Sequence, residues 1–164
     1  MKRFLHNYGK GSTDGGGAGF STSVNPLILI VDDHEDTRLM LRILLEMRGM
    51  WVVEALDGEA GVSAAEEIHP DLILMDLTLP TLDGLAAMRL IRERETLHQV
   101  PVVITSGHAH PKLQEAAFAA GCSDYLVKPF DFDHLDCILL KYLTLKTMSA
   151  VADRCPPEAL CNEQ

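Results

Sequence analysis

The stretch 71-DLILMDLTLPTLDG-84 decides the fold. Four apolar residues, Leu72 to Met75, run without a polar break into a carboxylate, Asp76. A short apolar run bounded by Pro70 and Pro80 reads as a strand buried on both faces, which is the habit of a parallel sheet. The acid at its tip has two readings. It can be a turn residue that satisfies local backbone N–H groups, or a chemical group held out by a rigid strand.

Working outward, the same kind of run recurs at 27-LILIV-31, 51-WVVEAL-56, 100-VPVVITS-106 and 124-DYLVK-128. Helical patterns fill the gaps. Leu41, Leu44, Leu45 and Arg48 keep three- and four-residue spacing, and Gly49 suits the end of that helix. Gly58 to Ile68 is rich in alanine and glutamate and stops before Pro70. Leu85, Met88 and Ile91 form one stripe, with Gly84 at its start. A fourth segment opens at Pro111 and closes at Gly121. Leu135, Ile138, Leu139 and Tyr142 give a fifth face at i, i+3, i+4 and i+7. Strict alternation of strand and helix predicts an α/β fold, a parallel sheet covered on both sides. Sites in such sheets lie at the carboxyl ends of the strands.

The chain has 164 residues, which suits one domain with tails. Half of the twelve glycines precede residue 20, and 1–25 reads as a flexible Gly-rich tail. The run 14-DGGGAG-19 lacks the preceding strand and the Gly-Lys-Ser/Thr ending of a phosphate loop, so it reads as linker. The folded unit is expected over 26–146 and a C-terminal tail over 147–164. The net charge of −10 comes from the folded unit, where ten Lys or Arg face twenty Asp or Glu. That balance argues against nucleic acid as a direct partner. No apolar run is long enough to span a bilayer. Four scattered cysteines fit a reduced, cytoplasmic setting, with Cys155 and Cys161 flanking a Pro-Pro break.

Only the strand ends carry concentrated chemistry. The first run leads into Asp32-Asp33, the third into Asp76, the fourth into Thr105-Ser106, the fifth into Lys128-Pro129. A parallel sheet brings these to one edge. Three clustered carboxylates repel one another. A hard divalent cation, Mg²⁺ or Mn²⁺, relieves that repulsion through oxygen ligands. With Lys128 as a fixed positive charge, the group suits a phosphoryl in transit and a carboxylate nucleophile.

Residues 26 to 146 resemble the receiver domain of two-component response regulators. The resemblance rests on Asp32-Asp33, Asp76, the following "LTLPTLDG", Thr105 in "VVITSG", and "DYLVKPF" around Lys128. It implies a (βα)5 flavodoxin-like sheet of order 2-1-3-4-5. It implies that Asp76 is the phosphoacceptor. Asp33 would ligate Mg²⁺ directly, Asp32 through water, and Thr78 through its backbone carbonyl. Lys128 would pair with the carboxylate and then with the phosphoryl group, which Thr105 would also hydrogen-bond. Tyr125 would be the switch aromatic, swinging inward as Thr105 moves and remodelling the face of the fourth helix, fifth strand and fifth helix. Lys128-Pro129 would be a cis peptide. Thr78 and Gly107 would tune the lifetime of the phosphoryl group. The implied partners are a sensor histidine kinase or phosphotransfer protein and a downstream protein target, with phosphorylation-dependent pairing of two copies. No membrane or nucleic-acid role is implied.

Other readings compete. A phosphatase of the haloacid dehalogenase class also uses an Asp nucleophile and Mg²⁺, but needs an acid two residues later, where this chain has Thr78. A receiver-shaped binding module could signal without phosphorylation, and the chain could be part of a larger regulator. The receiver reading makes the protein a regulator that assists its own modification, not an enzyme. Asp32 and Asp33 could also cap the first helix. His108 and His110 read as loop residues, because the inferred ion prefers oxygen.

Overall fold

Asp76 closes the central strand of the sheet, and its neighbours explain the unbroken apolar run before it. The computed structural model describes residues 25–143. In chain order the elements are β1 (Leu27–Val31), α1 (Glu35–Glu46), β2 (Trp51–Ala55), α2 (Gly58–Ile68), β3 (Leu72–Asp76), α3 (Gly84–Glu93), β4 (Val102–Ser106), α4 (Pro111–Ala119), β5 (Asp124–Val127) and α5 (Phe132–Tyr142). The strands form one parallel sheet of order β2-β1-β3-β4-β5. This is the parallel sheet that the alternation predicts, in the flavodoxin-like order that the resemblance to receivers implies.

Burial follows position in the sheet. All five residues of β3 and of β4 are buried. The edge strand β2 keeps Trp51 exposed. On one face Leu29, Val31, Ile73, Met75 and Ile104 pack with Val62 and Ala65 of α2, Met88 and Ile91 of α3, and Ala117 of α4. On the other, Ile28, Ile30, Leu72, Leu74 and Val103 pack with Leu41 and Leu45 of α1 and Leu135, Ile138 and Leu139 of α5. Adjacent residues of a strand thus feed opposite cores, and each fully buried Leu or Ile contributes about 1.5–3 kcal/mol.

Local signals set most helix boundaries. The side chains of Asp57, Asp83 and Asp131 accept backbone N–H bonds at the starts of α2, α3 and α5. Gly121, just past α4, takes φ +100°. Gly49 also takes a left-handed φ, +78°, but two residues beyond the α1 cap at Met47. Three strands are shorter than their apolar runs. β4 starts at Val102 because Pro101 has no N–H to donate to a ladder. β2 stops at Ala55, whose carbonyl accepts the Asp32 N–H, and Leu56 beyond it is exposed. β5 ends at Val127, just before the cis Lys128–Pro129 bond. Among the described residues no helix is long and apolar enough to cross a membrane. The Gly-rich run and Cys155 and Cys161 lie outside the described residues.

Candidate functional site

The carboxyl edge of the sheet gathers the residues singled out above. Asp32 leaves β1 and Asp76 ends β3, and both side chains are nearly inaccessible. Lys128 follows β5 and reaches back between them. Its Nζ lies 2.7 Å from Asp32 Oδ2 and 3.3 Å from Asp76 Oδ2. The ammonium therefore bridges two acids: it pairs with Asp76, as the resemblance implies, and makes a shorter contact to Asp32. Asp33 stands on the rim, 35% exposed, with His34 Nδ1 2.7 Å from its carboxylate. Asp32 does not cap α1. Its Oδ1 accepts the His34 N–H at 2.9 Å, which fixes the turn before the helix.

Burial dominates the electrostatics of Asp76. Loss of hydration raises its carboxyl above the ordinary value, and the charge of Asp32 pushes the same way. Lys128 opposes both, as does the backbone N–H of Thr78, which stabilises the charged form. Thr78 thus presents its N–H to Asp76, a contact the sequence reading did not include. Thr105 is the register partner of Asp76 on β4 and is buried beside it. Its carbonyl accepts the Leu77 N–H at 2.8 Å, which ties the start of the loop after Asp76 to β4.

The loop turns sharply beside Asp76. Thr81 has φ +67°. Gly84 opens α3 so close to the Asp76 carbonyl that a Cβ there would overlap it. Glycine is needed at that position for approach, not for φ.

Tyr125 lies further along the same edge. The sequence reading had it swing inward on activation, but its ring is already buried here, at 6% exposure. Its hydroxyl donates to the His108 carbonyl at 2.9 Å. His108 and His110 are exposed, and His110 Nδ1 accepts the Lys112 N–H at the start of α4.

The donor set fits a hard cation. Asp32, Asp33, His34 and Asp76 each offer a ligand atom, all within 4.8 Å of one another. Three carboxylates faced by one ammonium leave negative charge that a divalent ion with oxygen preference would neutralise. The carboxylates suit Mg²⁺ or Mn²⁺, and His34 adds a nitrogen at the rim. Sequence reasoning passed over His34. Its signal was its place directly after Asp32-Asp33, where the chain must turn from strand to helix.

A doubly wound sheet of this order, with acids, threonine and lysine at its carboxyl edge, defines the class of phosphorelay receivers. The chain belongs to the response regulator receiver domain family, whose profile it matches over residues 28–139. It is 35% identical over 127 residues to the regulatory protein AtoC of Escherichia coli, covering 77% of this chain and 27% of AtoC. It is 38% identical over 112 residues to the DNA-binding transcriptional regulator RpaA of Synechocystis, covering 67% of this chain and 46% of RpaA. The chain thus spans less than half the length of these curated relatives. Among solved structures, the receiver domain of the Pseudomonas aeruginosa sensor histidine kinase PA1611 superposes with TM-score 0.68 at 35% identity, over 73% of this chain and 98% of that one. That structure carries a magnesium ion in its active-site cleft. The Vibrio cholerae chemotaxis protein CheY4 superposes with TM-score 0.70 at 26% identity, over 73% of this chain and all of CheY4.

Proposed function

We propose that Asp76 accepts a phosphoryl group from the phosphohistidine of a sensor kinase or phosphotransfer protein. The observation that carries this reading is the Lys128 ammonium set between the buried carboxylates of Asp32 and Asp76. An Asp76 carboxylate oxygen attacks phosphorus, the P–N bond breaks, and the histidine nitrogen takes a proton. Bound Mg²⁺, held by Asp32, Asp33, Asp76 and the Thr78 carbonyl, would neutralise phosphoryl oxygens. Lys128 leaves the Asp76 carboxylate for a phosphoryl oxygen, and the Thr105 hydroxyl donates to another. No acid stands two residues after Asp76, where Thr78 is. The product is therefore held as an acyl phosphate, and Gly107 leaves water access to it unshaped by a side chain.

The protein is read as a regulator that assists its own phosphorylation and dephosphorylation. Its receiver unit spans 26–146 between two tails, and it works in the cytoplasm. Signal leaves through the face of α4, β5 and α5 to a protein target, by way of Thr105 and Tyr125, with pairing of phosphorylated copies and without direct nucleic-acid binding.

Intact-mass measurement with acetyl phosphate tests the central step. One phosphoryl group should add only when Mg²⁺ is present, and Asp76→Asn should abolish the adduct. An undiminished adduct in that variant sinks the assignment. Steady release of inorganic phosphate over many turnovers would instead favour a phosphatase. Chromatography with and without beryllofluoride tests the pairing.

A further inference from the structure

Arg38 is the buried cation of this region that the phosphoryl chemistry does not use. It lies in the second turn of α1, with its side chain 9% exposed. Its Nη1 donates to the Asp32 carbonyl at 2.8 Å. Its Nε contacts Glu54 of β2 at 3.3 Å. Glu54 is in turn approached by Arg42, whose Nη1 lies 2.9 Å from Glu54 Oε1 in a contact without hydrogen-bond geometry.

Burying a guanidinium is costly unless its donors are used. Here one donor is committed to a single backbone oxygen, that of the peptide joining Asp32 to Asp33. The other atoms of Asp32 are held separately. Its N–H bonds to Ala55, Oδ1 accepts from His34, and Oδ2 meets Lys128. Asp33 has no comparable anchor. It sits on the rim with the exposed His34 as its ion-pair partner. The direction of its carboxylate therefore depends on the plane of the peptide before it, and Arg38 sets that plane.

We infer that Arg38 is a positioning residue for the cation site: through the Asp32 carbonyl it holds the Asp32–Asp33 peptide so that both carboxylates converge with Asp76. It touches neither the cation nor the phosphoryl group. The inference rests on the proposed metal-dependent function and deepens it. Glu54 keeps the guanidinium aligned from the neighbouring strand, so β2 contributes to a site it does not line.

The experiment titrates Mn²⁺ into the full chain, reads free ion by electron paramagnetic resonance, and adds Mg²⁺ as competitor. Arg38→Met, which keeps the apolar stem, should weaken Mn²⁺ and Mg²⁺ affinity about 10–100-fold, the range for partners that orient metal ligands. Phosphoryl uptake by the variant should recover as Mg²⁺ is raised to saturation, because Asp76 and Lys128 are untouched. A purely structural role for Arg38 would not give that recovery. Arg38→Lys, with one compact donor group, should fall between parent and Met variant. Unchanged affinity in a folded Arg38→Met protein overturns the inference. If Arg38→Met does not fold, Arg38→Lys decides, and parental affinity there overturns it. Failure of both to fold assigns Arg38 to the fold and also overturns it. Absence of metal binding by the parent would overturn the functional reading itself, which is a separate result.

Discussion

At the scale of single residues the site is a contest between burial and charge, centred on Asp76. Burial raises its carboxyl above the ordinary 3.8, so the folded chain holds this proton to a higher pH than the unfolded chain does. Stability therefore falls as pH rises from about 3.8 through the raised value, and above that window the ionised carboxylate is a standing cost. Asp76→Asn should accordingly raise the melting temperature at pH 7, and the gain should fade as pH drops below about 3.8. A gain that does not change with pH would have some other cause. Mg²⁺ should stabilise the parent more than the variant, by up to about 2.7 kcal/mol when the ion is at a hundred times its Kd. Lys128 plays the opposite part. Lys128→Met should lower the rate of phosphoryl uptake from acetyl phosphate on the order of 10²–10³-fold, the usual loss when a preorganised charge donor is removed. A rate within a few-fold of the parent would remove Lys128 from the chemistry. Most of these residues were legible because each sits at the end of an apolar run. His34 and Arg38 were not. One bears no apolar pattern, and the other sits within a helix where arginine is common.

At the scale of elements, the chain is held by contacts that differ in how visible they are in one dimension. The strands were readable because central parallel strands are apolar throughout, as in β3 and β4. Strand ends were less so, since Pro101 belongs to the apolar run before β4 but has no N–H to donate, and Leu56 continues the run beyond Ala55. Gly84 was readable as a helix start, but not the reason for it, which is the Asp76 carbonyl packed against its Cα. Gly84→Ala should push α3 away from the site and cost about 1–3 kcal/mol, the range for overpacking, as measured by urea denaturation. Phosphoryl uptake should fall as well, because the displaced backbone carries Asp76. The link between the turn after α1 and α5 lay beyond sequence reasoning altogether. Arg48 grips Asp136 with Nε at 2.7 Å and Nη2 at 2.9 Å across 88 residues of sequence. The periodicity reading carried the first helix through Arg48, whereas α1 ends at Glu46 and Arg48 lies in the turn beyond the cap at Met47, and the reading was silent about its partner. Asp136→Ala would leave that guanidinium without its carboxylate in a half-buried place, at a cost of about 1–3 kcal/mol in the same assay.

At the scale of the whole molecule, the proposed function has an event at Asp76 read at a face built by α4, β5 and α5. The order β2-β1-β3-β4-β5 supplies the route for it, because β4 pairs on one side with β3, the strand that ends in Asp76, and on the other with β5. Thr105 lies opposite Asp76 in register, and Tyr125 lies opposite Ile104, one residue back along β4. The parallel sheet was legible as soon as five strands alternated with five helices, and its order came from the resemblance to receivers. The state of the tyrosine was not, because a ring at a strand end can face in or out without changing the sequence pattern. Here the Tyr125 hydroxyl holds the His108 carbonyl, so it fastens the loop between β4 and α4. A neutral hydrogen bond of this kind contributes about 1 kcal/mol. Tyr125→Phe keeps the ring and deletes only that bond. Amide hydrogen exchange over residues 107–110 should then run about fivefold faster, the factor that 1 kcal/mol implies at room temperature. Uptake at Asp76 should stay at the parental level, since the ring and the site are unchanged. Beryllofluoride with Mg²⁺ should slow exchange in this loop in the parent and lose most of that effect in Tyr125→Phe. Equal protection in both proteins would mean that the loop takes its order from α4 alone, and that Tyr125 is a core residue whose hydroxyl happens to find an acceptor.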